Sequence, residues 1–187
     1  MKPVLAVLSV AVVGFAVYGV LAGSTAVGFY VPITIVLIGV VALIHRSAGF
    51  SPGTLWALVS IAVGNLAGGV LLIGGDPLYE AVVVDPLRYD KIFHTYAAGV
   101  AAWAFHEALD RWAGRPGLYV ALSAFLMASG AGALVEMVEY IGSLILENNS
   151  IGDYGNNMGD LVANTLGALA GASLAFRLRS AARTRLR

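Results

Sequence analysis

The sequence predicts an all-α fold: a polytopic membrane bundle of about six transmembrane helices. Three observations lead to that class. The chain of 187 residues is 59% hydrophobic and only 12% charged, with a mean hydropathy of +0.83. Several of its apolar runs approach or exceed the ~20 residues a helix needs to cross a bilayer. Those runs are continuous, whereas the strands of a β-barrel alternate apolar and polar residues over segments of about ten. The lack of cysteine excludes disulfides, thiolate metal sites and cysteine nucleophiles.

Taken in order, the runs place helix one at Pro3 to Ala22 and helix two at Val27 to Ile44. The first run exceeds the ~7–15-residue core of a signal peptide and has only Lys2 as a basic flank, so it is expected to stay as a helix. Helix three runs from Thr54 to Ile73, with Asn65 near its middle, suited to an interhelical hydrogen bond. Helix four covers Lys91 to Trp112, helix five Leu118 to Leu146, and helix six Gly159 to Phe176. Helix five is longer than a bilayer requires, so it is expected to be tilted, broken near Ser129 and Gly130, or extended past the surface.

Charge orients the bundle. His45, Arg46, Arg111, Arg115 and the tail arginines Arg177, Arg179, Arg183, Arg185 and Arg187 fall on one side. Asp76, Glu80, Asp85 and the Glu147–Gly159 loop fall on the other. By the positive-inside rule both termini are cytoplasmic. A single integral membrane domain results: three N-terminal helices (1–74), an acidic extracytoplasmic loop (75–90) suited to lie on the outer surface as a lid, and three helices carrying the polar motifs and a basic tail (91–187). The tail is expected to meet anionic headgroups, not nucleic acid.

That topology brings the unusual polar residues to one depth. Asp90 and His94 stand at i and i+4 at the outer end of helix four. Glu136 and Glu139 lie one turn apart in the outer half of helix five, and Asp160 and Asn164 in the first turns of helix six. The loop before helix six adds Asp153, Asn156 and Asn157. Each has a plainer reading: Asp90 and Asp160 as helix caps, His94 as an interface hydrogen-bonding residue, and the glutamates as the exit of a long helix. Glu107 with Arg111 reads as an ordinary i, i+4 pair, and His106, Glu107 and Asp110 lie about 18 Å from His94 along the axis.

Crowded carboxylates in low dielectric need a cation or must protonate. Oxygen donors with one imidazole suit a divalent metal, Mg, Mn, Ca, Fe or Zn. His94, Glu136, Glu139 and Asp160 are the expected metal ligands, Asp90 and Asp153 the residues that position ligands or shuttle protons, and Asn156, Asn157 and Asn164 the groups around them.

The segment Tyr89-Asp90-Lys91-Ile92-Phe93-His94, the stretch Leu134 to Tyr140 with Glu136 and Glu139, and Asp153 through Asp160 with Asn164 resemble the YjdF-like inner-membrane proteins. A more distant likeness is to VanZ-like proteins. The resemblance spans roughly Asp85 to Ala172 and implies a multispanning membrane protein without an established reaction. The Asp153–Asp160 stretch departs from it, being rich in asparagine where the family suggests a Gly-Asp-x-Trp-Asp type segment.

Three functions fit these features. The first is a metal-dependent hydrolase or transferase acting on a lipid or lipid-linked phosphate at the outer face. The second is a cation- or proton-coupled transporter or channel using the same carboxylates. The third is a lipid-binding or assembly factor with a structural metal. The small-residue stretches Gly130–Ala133 and Gly167–Ala172 are expected to bring helices five and six together as antiparallel neighbours, with a homo-oligomer as the competing use.

Overall fold

The computed structural model describes residues 2–113, 117–145 and 154–184, with side chains in the last segment up to Arg179. The protein is an all-α membrane bundle of six helices: α1 (Lys2–Leu21), α2 (Val27–Ala48), α3 (Pro52–Val70), α4 (Tyr89–Ala113), α5 (Leu118–Ile145) and α6 (Tyr154–Thr184). Five of them, α1, α2, α3, α5 and α6, are long and apolar enough to cross a membrane. The sixth, α4, has 25 residues but carries Asp90, Lys91, Glu107, Asp110 and Arg111. It packs on α2, α3, α5 and α6, so most of its charges meet protein instead of lipid.

Local signals explain where several helices begin and end. Ser51 caps α3, accepting a hydrogen bond from the Thr54 amide at 3.4 Å, with Pro52 at the first helical position. Gly49 ends α2 in a left-handed conformation (φ +62°), its amide donating to the His45 carbonyl at 2.7 Å.

Helix six departs most from expectation. It starts at Tyr154 and continues to Thr184, so Asn156 and Asn157 belong to its first turn and not to a preceding loop. Asp160 is then in the second turn, too far in to cap the helix. Helix five runs from Leu118 to Ile145 as one helix, with no break at Ser129 and Gly130. Alanine and glycine there leave the backbone hydrogen bonds intact, and no proline interrupts them.

The helices form two groups of three. α1, α2 and α3 pack together, as do α4, α5 and α6, and the groups join mainly through α4 against α3 and α2. The most extensive interface is α4 with α6, not α5 with α6. A Cβ on Gly167 would collide with the Thr95 carbonyl, and one on Gly171 with the Gly99 carbonyl. The Gly-x-x-x-Gly stripe of α6 thus lies directly on the α4 backbone. Contacts of Lys91 with Asp160, His94 with Asn164 and Asp110 with Arg179 show the two helices running parallel. Ala98, Ala102, Ala128, Ala168 and Ala172 fill the seam beside α5. Gly132 of α5 faces Asn164, while Gly130 faces open space.

The acidic segment between α3 and α4 is ordered. Strands β1 (Leu72–Ile73) and β2 (Asp76–Pro77) pair antiparallel across Gly74 and Gly75, both at positive φ, as a tight two-residue hairpin requires. A 3-10 turn (Leu78–Glu80) follows, then the antiparallel pair β3 (Val82–Val84) and β4 (Leu87–Arg88). Tyr79 in the turn is buried and enters the bundle, while Val82, Val83 and Val84 remain exposed.

The α4–α6 approach yields a direct test. Gly171→Ala should destabilise the protein by about 1–3 kcal/mol through overpacking against backbone, while Gly130→Ala should leave stability unchanged or slightly raised. Thermal unfolding in detergent measures both, and equal stability of the two variants would contradict the contact.

Candidate functional site

His94 is the hub of the polar residues at one end of the bundle. Its Nδ1 lies 3.1 Å from Glu136 Oε1 and 3.3 Å from Asn164 Oδ1. Its Nε2 lies 3.2 Å from Asp90 Oδ1, one helical turn back, and 3.8 Å from Asp160 Oδ1. Two triads share the ring: Asp90, His94 and Asp160 on one side, and His94, Glu136 and Glu139 on the other. Within each, the candidate ligand atoms lie within 4.8 Å of one another.

Helix geometry accounts for the convergence. The i, i+4 spacing stacks Asp90 and His94 on one face of α4, and the i, i+3 spacing does the same for Glu136 and Glu139 on α5. On α6 the spacing 156, 157, 160, 164 makes a stripe that faces both. Asn157 Nδ2 donates to the Glu136 carbonyl at 3.1 Å and to Glu136 Oε2 at 3.3 Å. Asn164 Nδ2 donates to Glu136 Oε1 at 3.0 Å. The two amides therefore fix the glutamate from both oxygens.

Lys91 is the residue that sequence reasoning missed. Its Nζ lies 2.9 Å from Asp90 Oδ2 and 2.8 Å from Asp160 Oδ1, and it also donates to Asn156 Oδ1 at 2.8 Å and to the Asn156 carbonyl at 3.1 Å. Asn156 Nδ2 holds the other oxygen of Asp160 at 2.8 Å. The signal was present: a lysine beside an aspartate at the start of an apolar run needs a partner as much as the aspartate does.

The electrostatics are lopsided. Asp90, Glu136, Glu139 and Asp160 are 7%, 3%, 6% and 0% exposed, and His94 is 7% exposed. Among the described residues, four buried carboxylates thus face one ammonium and one imidazole. The Asp90–Asp160 side holds Lys91, whereas on the Glu136–Glu139 side the basic group among the described residues is the His94 imidazole. Buried like charges without a cation are strongly unfavourable, which leaves the glutamate side to bind protons or a cation.

Tyr79 closes the site from the loop. Its hydroxyl donates to Asn65 Oδ1 at 2.8 Å, and Asn65 Nδ2 donates to Thr34 Oγ1 at 2.9 Å, the interhelical role expected of Asn65. The Tyr79 ring stacks obliquely on Tyr30, Phe93 and Tyr89 at 5.6, 5.7 and 5.9 Å and lies 6.4 Å from the His94 ring. Gly68 and Gly69 make this possible, since a Cβ on either would strike the Tyr79 or Tyr30 ring. Burial holds the Tyr79 phenol well above its usual pKa, with the nearby Tyr30 and carboxylates adding to the effect, so it stays a donor. Asp153 lies outside the described residues.

The opposite end of α4 holds a separate network. Glu107 is fully buried and accepts hydrogen bonds from the Ser51 amide (2.7 Å), Ser51 Oγ (3.2 Å) and Thr54 Oγ1 (2.5 Å). It also pairs with Arg111 at 2.8 Å and Arg179 at 3.5 Å, and Arg179 reaches Asp110 at 3.1 Å. The expected i, i+4 pair with Arg111 is present and is part of a tie among α3, α4 and α6. The i, i+4 spacing was correct, but its burial depends on α3 starting at Ser51 beside it.

A family model described as Predicted membrane protein (DUF2238) matches residues 3–181. The chain belongs to this family. It is the family of the YjdF-like resemblance, and the match extends that likeness over the first three helices as well. The VanZ-like likeness finds no support in the comparisons. No curated protein and no solved structure matches the chain.

For Tyr79, Phe substitution should cost about 1 kcal/mol through the lost bond to Asn65. Tyr79→Ala should cost about 3–5 kcal/mol by emptying a packed aromatic site. Thermal unfolding ranks the two, and a Tyr79→Ala protein as stable as wild type would show that the loop does not plug the bundle.

Proposed function

We propose that the protein is a metal-dependent hydrolase or transferase acting on a lipid or lipid-linked phosphate at the outer face of the cell membrane, with both termini in the cytoplasm. The observation that carries the reading is the buried set of four carboxylates around His94, served among the described residues by the Lys91 ammonium. The donors fit an oxygen-preferring divalent ion: two carboxylates and an imidazole nitrogen within 4.8 Å of one another can share one ion at bonds of about 2.0–2.6 Å.

Glu136, Glu139 and His94 Nδ1 would hold the ion. Asp90, hydrogen-bonded to Nε2, sets the ring so that Nδ1 offers its lone pair, the usual work of a carboxylate behind a metal-binding histidine. Asn157 and Asn164 orient Glu136. Asp160 reaches His94 Nε2 only at 3.8 Å and already pairs with Lys91 at 2.8 Å, which favours it as counter-ion of the lysine over fourth ligand. Lys91, with a side chain 25% exposed, stands at the mouth where an anionic headgroup would arrive. A bound divalent ion would supply electrophilic activation of a phosphate oxygen and a more acidic water.

Transport by the same carboxylates is less well supported. Between His94 and His106, α4 is mostly alanine, glycine and valine and borders a cavity whose described polar lining is confined to its two ends, which offers an ion few partners along the ~18 Å between them.

Elemental analysis of chelator-washed protein, with assay of phosphate release from phosphatidic acid and from an isoprenyl pyrophosphate, tests the proposal. Wild type should carry about one divalent ion per chain, and Glu136→Ala and His94→Ala should lose both ion and activity. Asp90→Asn should weaken metal binding by about 10–100-fold without unfolding. Turnover unchanged in His94→Ala, or no ion in wild type after re-addition of Mg, Mn, Ca, Fe or Zn, would overturn it. A bound ion without turnover would mark a structural metal instead.

A further inference from the structure

A cavity of about 300 Å³ occupies the seam between the two helix groups. Its walls come from all six helices and are almost wholly apolar, with Leu8, Ile38, Leu58, Ala101 and Phe105 among them. The polar exceptions are grouped by height. Thr34, Asn65, His94 and Asn164 line one end; His45, stacked on Phe50 at 5.9 Å, lines the other. The cavity therefore begins at the face of His94 and Asn164 that borders the proposed metal position and continues away from it along α4.

Its dimensions match a leaflet. From Phe93 to Phe105 along α4 is about 18 Å at 1.5 Å per residue, against about 15 Å for half of a ~30 Å hydrocarbon core. It is also open sideways. α2 and α5 make no extended contact, and the lining residues Leu5, Leu37 and Val40 are exposed toward the surroundings. The volume lies at the small end for ligand pockets, room for one chain and not two.

Resting on the function proposed above, we infer that the seam binds one hydrocarbon chain of the lipid substrate, entering between α2 and α5, with the phosphate end at His94 and Asn164 and the chain end near Phe105. Dry walls favour a saturated or isoprenoid chain, because a buried polar group there would find no partner. The carboxylate site and the chain cavity together then select a membrane lipid over a water-soluble phosphate, as one binds the head and the other the tail.

The test uses the full chain in phosphatidylglycerol vesicles doped with phosphatidic acid that carries a photoactivatable diazirine at the end of one acyl chain. Ultraviolet cross-linking and peptide mass spectrometry should place adducts on the deep wall, around Leu55 to Leu58 and Ala101 to Phe105. Filling the cavity with Ala101→Phe should reduce those adducts by about tenfold or more, while thermal stability and metal content stay at wild-type values. If that variant does not fold, Ala131→Leu on the opposite wall serves the same purpose. Adducts confined to the outer faces of α1, α2 and α5, and equal in wild type and the filled variants, would mean surrounding lipid only and would overturn the inference. Deep-wall labelling of a protein that holds no metal would support the chain cavity and overturn the enzyme reading. A bound metal with no deep label would remove the cavity and leave that reading standing.

Discussion

The close approach of α6 to α4 sets the register on which the polar parts of this molecule depend. Because Gly167 and Gly171 carry no side chain, α6 rests on the carbonyls of Thr95 and Gly99. That places Asp160 against Lys91 and Asn164 against His94 at one end, and Arg179 against Asp110 at the other. Dispersion between backbones at such short range, without a hydrophobic driving force, is what holds helices together in lipid. Here the same contact also decides which charges meet. A larger residue at either glycine would move both polar clusters at once.

Those clusters give α4 its character. It is the one helix of the six too polar to count as a membrane span by composition, yet it lies at the centre of the bundle. Its charges are tolerated because each end finds partners on other helices: Glu107 is hydrogen-bonded from α3 and paired with arginines of α4 and α6, and Asp90 is held by Lys91 and His94. The two ends differ in one respect among the described residues. At one end Arg111 and Arg179 answer Glu107 and Asp110, whereas at the other Lys91 answers Asp90 and Asp160, and the Glu136–Glu139 pair meets the His94 imidazole. In low dielectric that difference in charge is the physical ground on which the proposed ion site rests at the second end and not the first.

The loop between α3 and α4 completes the same end. Tyr79 reaches over the bundle because Gly68 and Gly69 leave a gap for two aromatic rings, and its hydroxyl ties the loop to Asn65. The residues that flank the hub are therefore contributed by α2, α3 and the loop as well as by the three C-terminal helices.

The sequence by itself determined the class, the number of helices and the helix faces that the candidate residues share. Length and hydropathy of a span follow from bilayer thickness, and i, i+3 or i, i+4 spacing is a property of the helix alone. His94 with Asp90, and Glu136 with Glu139, were legible for that reason. Only the tertiary structure decided the rest. Hydropathy could not see that α6 begins at Tyr154, since Asn156 and Asn157 are polar residues made helical by their contacts with Lys91 and Glu136. Small-residue stripes announce a close contact without naming the partner, which is why the glycines of α6 suggested α5 and belong to α4. Lys91 had its partner beside it in the sequence, but its second one, Asp160, lies 69 residues away. Which charges neutralise one another is set by helix order and register in space, and neither is a local property of the chain.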